Sequence, residues 1–273
     1  VSNEVSIRLG FFLGVLILMA LWERVAPRRA PGYSKKVRWI NNLGIVFLDS
    51  LAVRLLFPVV AVGLAFLAQE RGWGILNRIE VPYWMAAALA VAWLDLAIYL
   101  QHVMFHALPA LWRIHRMHHA DLDYDVTTGL RFHPIEIVLS MGIKLGVVTL
   151  LGPPPEAVLV FEVLLNATSM FNHGNIRLPS SVDKVLRLVL VTPDMHRVHH
   201  SIVRRETDSN FGFSVSWWDR LFGTYRSQPA MGHEGMTIGL DAFRNPKMLT
   251  LPWLLAIPFL RTSTRDSSSE KPE

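Results

Sequence analysis

Eleven histidines lie in this 273-residue chain, and most of them fall into spacings that could grip metal. His102 and His106 are four apart; His115, His118 and His119 follow H-x-x-H-H; His196, His199 and His200 repeat that pattern further on. On a helix, positions i, i+3 and i+4 share a face, so each group is expected to point its imidazoles into one volume. Neutral imidazole is a good ligand for iron, zinc, copper and nickel. Such ions take roughly four to six ligands, so this set overfills a single ion and two metals are expected. A structural zinc site closes with four donors, whereas a redox pair with open positions for O2 accounts for the excess. Any one of these histidines alone would read as a packed core residue. Two triplets and a pair, spaced between apolar segments rather than run together in a low-complexity tract, do not.

His173 is a further candidate ligand. It ends an apolar segment in which Glu162, Asn166 and Ser169 recur at near-helical spacing. A polar stripe there is costly unless it faces a partner or a cavity, and the expected partner is the metal site. Packing against Asp49 or Arg54 is the alternative. His133 could be a tenth ligand or a supporting group. Glu136, Asp95 and Asp194 are candidate acceptors for ligand N–H groups, a contact that fixes the tautomer and raises basicity. Each of these acids could equally cap a helix or pair with Arg113, Arg116 or Arg197. His233, isolated after the main block, reads as a surface histidine.

Composition narrows the chemistry. The absence of cysteine removes disulfides, thiolate zinc sites and cysteine-ligated iron–sulfur clusters. The net charge of +5 comes from basic residues that bracket apolar runs rather than forming one patch. That argues for an anionic membrane surface and against nucleic acid. Two other functions stay open at this point. A zinc-dependent membrane hydrolase could use the same donors, although the H-E-x-x-H signature is absent. A haem-binding electron carrier needs only one or two axial histidines.

The elements that must position these rings are apolar helices. Hydrophobic residues make up 51% of the chain and charged ones 18%, a balance that leans toward membrane. Leu9–Trp22 reads as an uncleaved helix, since no small-residue cleavage site follows it. Leu43–Ala68 and Val81–Leu100 read as second and third spans. Ile135–Leu151 and Ala157–Met170, split by Gly152-Pro153-Pro154-Pro155, read as a helical hairpin that dips into the bilayer. Met248–Leu260 is expected to lie on the surface or pack on the bundle. The segment from Glu23 to Arg38 is far more basic than the link at 69–80, which places it in the cytoplasm together with the histidine-rich stretches. Thr192, Pro193 and Asp194 supply a helix start for the last triplet. The expected fold is all-α: a polytopic membrane helical bundle with a cytoplasmic helical cap that holds a histidine-rich di-metal site. One membrane-embedded domain is expected over 1–261, with its core at about 95–226, followed by a disordered polar tail over 262–273.

The order His102-x-x-x-His106, His115-x-x-His118-His119 and His196-x-x-His199-His200 resembles the fatty acid hydroxylase and sterol desaturase superfamily. Arg131-x-His133-Pro-x-Glu136, Asn172-His173-Gly174-Asn175 and the stretch from Trp218 to Tyr225 resemble it too. The resemblance covers about half the chain and implies a di-iron centre. It also implies O2-dependent hydroxylation or desaturation of a lipid or sterol-like substrate, in the endoplasmic reticulum or a bacterial inner membrane. The box residues carry over onto the eight histidines of the pair and triplets. His173 matches the histidine that relatives place between the second and third boxes, where some carry H-x-x-x-H. No domain of the cytochrome b5 type is legible, so electrons are expected from a separate reductase, ferredoxin or cytochrome.

Overall fold

Residues 3–261 are described by a computed structural model, and their architecture follows from where apolar side chains run unbroken. The first stretch forms α1 (Glu4–Val25), longer at both ends than its apolar core. At about 1.5 Å per residue it reaches roughly 33 Å, enough for a bilayer's hydrocarbon layer. It buries Leu16 and Met19 against α7 while Leu9, Phe11, Ile17, Leu18 and Leu21 face outward. A helix apolar on its outward side suits lipid rather than water.

The second expected span is two helices, α2 (Lys35–Leu56) and α3 (Ala61–Arg71), separated by a break around Pro58. Proline has no N–H to donate and clashes with the preceding turn, which explains the interruption. Ser34 caps α2 by accepting from the Val37 amide. α4 (Tyr83–Ala107) does not stop at Leu100 but runs two turns further, carrying His102 and His106 out of the apolar layer. α5 (Pro109–His119) follows after a single residue and carries the first triplet.

α6 (Pro134–Leu151) and α7 (Pro155–Asn172) form the expected hairpin. Gly152 closes α6 at φ 65°, a left-handed conformation that favours glycine. α8 (Ser180–Leu186) and α9 (Pro193–His199) complete the cap, and Thr192 caps α9 through its hydroxyl as its position suggested. The short helix Leu251–Ala256 packs on α2, while Arg116 donates to the carbonyls of Ile257 and Leu260 at 2.7 and 2.6 Å. Among the described residues β-structure is limited to isolated bridges, such as Leu190 with Val215. The expectation for 262–273 lies outside the described residues.

Four helical stretches are long and apolar enough to cross a membrane: Glu4–Val25, Lys35–Asn77, Tyr83–Ala107 and Pro134–Leu151. One core joins Ala61, Val62 and Ala65 of α3, Leu94 and Ile98 of α4, Val148 of α6, and Val158 and Phe161 of α7, while α1 packs Leu16 and Met19 into a second with Val126, Leu130, Met170 and Ile176. The cap is bolted to this bundle by ions. Arg38, on the first turns of α2, is fully buried and donates to both carboxylate oxygens of Asp121 at 2.8 Å, while also pairing with Asp125. The sequence places Arg38 at the end of the basic segment Glu23 to Arg38; the structure buries it within α2. Arg28 pairs with Asp194 at 3.3 Å and Arg29 donates to the Met236 carbonyl at 2.8 Å. The basic loop and the histidine cap therefore lie on the same side of the bundle.

Candidate metal centre

Three helices and the end of a fourth converge where the bundle meets the cap. α4 brings His102 and His106, α5 brings His115, His118 and His119, the end of α7 brings His173, and α9 with its C-cap brings His196, His199 and His200. All are buried. Their donor atoms fall into two groups: His102, His106, His115, His119 and His199 in one, and His118, His173, His196 and His200 in the other. Within each group all the donor atoms lie within 4.8 Å of one another.

The triplets do not each serve one volume, as their spacing had suggested. Residues i and i+4 of the first triplet, His115 and His119, enter the five-donor group, while His118 at i+3 enters the four-donor group. The second triplet does the reverse, sending His196 and His200 to the four-donor group and His199 to the five-donor group. The helix rotates about 100° per residue, so neighbours such as His118 and His119 diverge by enough to reach different ions. The groups adjoin through stacked rings, with His119 and His200 centroids 4.6 Å apart.

Hydrogen bonds fix which ring nitrogen is free. Nδ1 of His102 lies 2.7 Å from the Phe211 carbonyl, that of His199 2.7 Å from the Ser209 carbonyl, and that of His173 2.8 Å from the Ser169 carbonyl. His118 Nδ1 lies 3.1 Å from the Arg131 carbonyl, and His115 Nδ1 2.7 Å from Glu136 Oε1. These oxygens only accept, so each Nδ1 carries the proton and donates it. In a neutral ring Nε2 is then a bare lone pair. Yet Nε2 of His102 and His115 lie 3.1 Å apart, and Nε2 of His118 and His173 3.2 Å apart. Two lone pairs at that distance repel unless a cation lies between them. With metal–nitrogen bonds of about 2.0–2.1 Å, donors at right angles are roughly 3.0 Å apart and tetrahedral donors roughly 3.4 Å, so these separations fit a shared ion.

Burial keeps the rings in the ligating form. It pushes His118, His119, His196, His199 and His200 well below the ordinary value of 6.5, with neighbouring imidazoles adding to the effect. His173 is pushed down to about 3, mainly by burial. Aromatic rings hold the imidazole planes: Phe132 stacks on His118 at 4.5 Å between centroids, and Tyr124 on His173 at 5.6 Å. Gly129 lets the preceding loop lie against the end of α7, because a Cβ there would meet the Ser169 carbonyl at 2.5 Å.

The supporting residues sort differently. Glu136 meets His115 directly. His133 lies outside both groups: its Nδ1 accepts from the Ile135 amide as the cap of α6, and its Nε2 lies 3.3 Å from the Leu255 carbonyl. Asp95 accepts from Trp218 Nε1 at 2.8 Å, and Asp194 pairs with Arg28 and Arg197. His233 is buried rather than on the surface, with Nε2 3.6 Å from Asp194. Of the polar stripe, Ser169 reaches the site through its carbonyl, while Glu162 pairs with Lys144 and Arg8. Sequence reasoning missed Asp208, whose carboxylate accepts from His106 Nδ1 at 3.2 Å, and the backbone carbonyls, which carry no side-chain signal.

A cavity of about 480 Å³ leads to His102 and His115 from between α2, α4, α6 and α7. Its walls combine the apolar Phe105, Phe132, Phe213, Leu130 and Ile98 with the polar Asp49, Ser50, Ser140, Lys144 and Glu162. An apolar throat beside a metal pair can hold an alkyl chain and keep water away.

The family model for fatty acid hydroxylase matches residues 87–224, half the chain and all the clustered histidines. Ornithine lipid hydroxylase OlsE of Rhizobium tropici is 25% identical over 96% of this chain and 78% of its own length. Human alkylglycerol monooxygenase is 28% identical over 60% of this chain, which spans only 35% of that protein. Human cholesterol 25-hydroxylase is 27% identical over 49% of this chain and 48% of its own length. No solved structure gives a significant match.

Proposed function

The chain belongs to the fatty acid hydroxylase family, and on that premise we propose that it is a membrane di-iron monooxygenase that uses O2 to hydroxylate an unactivated C–H bond of a lipid-like substrate. The observation that carries this reading is the pair of lone-pair contacts, His102 with His115 and His118 with His173, which call for one cation in each group. Nine buried imidazoles and no thiolate suit iron with coordination positions left for O2. The relatives named above are a lipid hydroxylase, an alkylglycerol monooxygenase and a sterol hydroxylase, which supports a lipid as substrate.

Bound iron supplies O2 activation and the oxidising power for C–H cleavage. The chain's own residues do the rest: carbonyls and carboxylates hold each ring by its Nδ1–H, and the phenylalanine-lined throat aligns the alkyl chain below His102 and His115 while excluding water. Hydroxylation reduces O2 to one alcohol and one water, so two electrons and two protons must arrive from outside. A separate ferredoxin, cytochrome or reductase delivers the electrons on the cytoplasmic side, where the basic loop directs the cap.

The test is metal content and O2 use. Detergent-purified protein is expected to carry about two irons per chain, the number its two donor groups can hold. It should also consume O2 when given reductant, a redox carrier and a lipid extract. His118→Ala should lose metal and activity yet remain in the membrane. Stoichiometric zinc with no O2 uptake would refute the assignment, as would normal turnover in His118→Ala.

A further inference from the structure

The cavity that ends at the histidines has an imbalance in its hydrogen bonding. Three buried acceptors on its wall lack partners: Asp49 Oδ1, Gln101 Oε1 and Glu136 Oε2. Gln101 uses its amide N–H on Ser140 Oγ at 3.1 Å, and Glu136 uses Oε1 on His115. Among the described residues, no buried donor on the same wall is left over to match them. The cavity's cations do not answer them either. Lys144 and Arg8 are engaged by Glu162, and Arg54 forms no ion pair with Asp49.

Asp49 is the extreme case. It is 8% exposed, sits within an apolar span, and makes neither a hydrogen bond nor an ion pair among the described residues. It lies roughly 16 Å along α2 from Arg38, at about 1.5 Å per residue, and so beyond the cap. A buried carboxyl without a partner costs several kcal/mol in hydrocarbon surroundings unless it takes up a proton or something donates to it. Three unanswered acceptors on a cavity that opens to the metal rings suit an occupant that brings its own donor.

We infer that Asp49 is a specificity-determining residue which binds a hydrogen-bond donor, a hydroxyl or an ammonium, on an amphiphilic substrate. Gln101 and Glu136 offer acceptors between Asp49 and the rings. The alkyl part then lies in the throat of Phe105, Phe132 and Phe213. Lipids whose polar end only accepts, such as ethers and esters, leave the carboxyl unsatisfied and bind worse. The inference rests on the lipid-oxidising role proposed above and narrows its substrate class to donor-bearing lipids.

The experiment measures binding, not turnover. Iron-loaded full-length protein in detergent is titrated anaerobically with hexadecylamine, hexadecan-1-ol and 1-methoxyhexadecane, using quenching of tryptophan fluorescence. The wild type should bind at least one donor-bearing probe about tenfold or more tighter than the methyl ether, the range expected for a hydrogen bond to a charged group. Which probe gains distinguishes ammonium from hydroxyl. In Asp49→Leu the preference should collapse to within about twofold with iron content unchanged. If that variant loses its iron, Asp49→Asn decides instead: it keeps shape and an acceptor but removes the charge, so ammonium preference must fall while hydroxyl preference persists. Equal binding of all three probes by the wild type overturns the inference, as does full preference in Asp49→Leu. A protein that prefers donor lipids yet consumes O2 with none overturns the oxygenase reading and leaves this inference standing. One that hydroxylates lipids without preference overturns only the inference.

Discussion

At the scale of single residues, the centre depends on which ring nitrogen holds the proton, and Glu136 controls this for His115. Its carboxylate accepts from Nδ1 at 2.7 Å, leaving Nε2 free for a metal. Glu136→Gln keeps the volume but removes the charge, so metal affinity should fall about 10–100-fold, measured by competition with a calibrated chelator. An unchanged affinity would mean that Glu136 only packs. The rings also set a pH response. Burial first, then neighbouring imidazoles, holds His118, His119, His196, His199 and His200 well below 6.5. In the unfolded chain the same rings take up protons once the pH drops below that value. Metal-stripped protein therefore has its full stability above 6.5 and loses it as the pH falls further, by up to about 1.4 kcal/mol per pH unit for each ring. A chelator-treated sample that melts at the same temperature at about pH 5 and about pH 7.5 would contradict this.

At the scale of elements, the cap stays on the bundle because α2 enters it. Arg38, Asp121 and Asp125 are all buried, and burial alone would raise the Asp121 carboxyl, but Arg38 and Arg131 hold it down at about 2. Arg38→Ala leaves Asp125 without its guanidinium and Asp121 with only Arg131, 3.7 Å away, and should cost about 3–5 kcal/mol, seen as a lower unfolding midpoint with metal loss on mild heating. A shift as small as that of a surface substitution would show that water replaces the guanidinium. Legibility from sequence divides along the same lines. The apolar runs of α1, α6 and α7 and the Thr192 cap were readable because they are local. The end of α4 was not, because hydropathy drops at Gln101 and His102 while the helix continues on contacts from α5 and α7. The sharing of each triplet between two donor groups needs the relative rotation of α5 and α9, which only packing sets. The burial of Arg38 and His233 depends on Asp121 and Asp194, acids distant in sequence that the fold brings to them.

For the whole molecule, the fold and the membrane set separate constraints on sidedness. Arg28 on Asp194 and Arg29 on the Met236 carbonyl tie the basic loop to the cap, so the two must share a side whichever way the chain inserts. α3 ends beside the α6–α7 turn, where Gly74 and Gly152 meet, at the end of the bundle opposite the cap. The cytoplasmic placement proposed for the loop and cap rests on the positive-inside rule alone. The sequence contains no cysteine, so single cysteines can report this without background. Lys36→Cys, Arg205→Cys and Glu70→Cys each replace an exposed residue, the first two on the cap side and the third at the far end. In sealed, outward-facing membranes an impermeant maleimide should label Glu70→Cys at once, and the other two only after permeabilisation. Opposite behaviour of Lys36→Cys and Arg205→Cys would break the fold itself, since no orientation separates them. Both labelling from outside would keep the fold and invert the protein, which would move the histidine centre away from the cytoplasmic electron donor proposed for it.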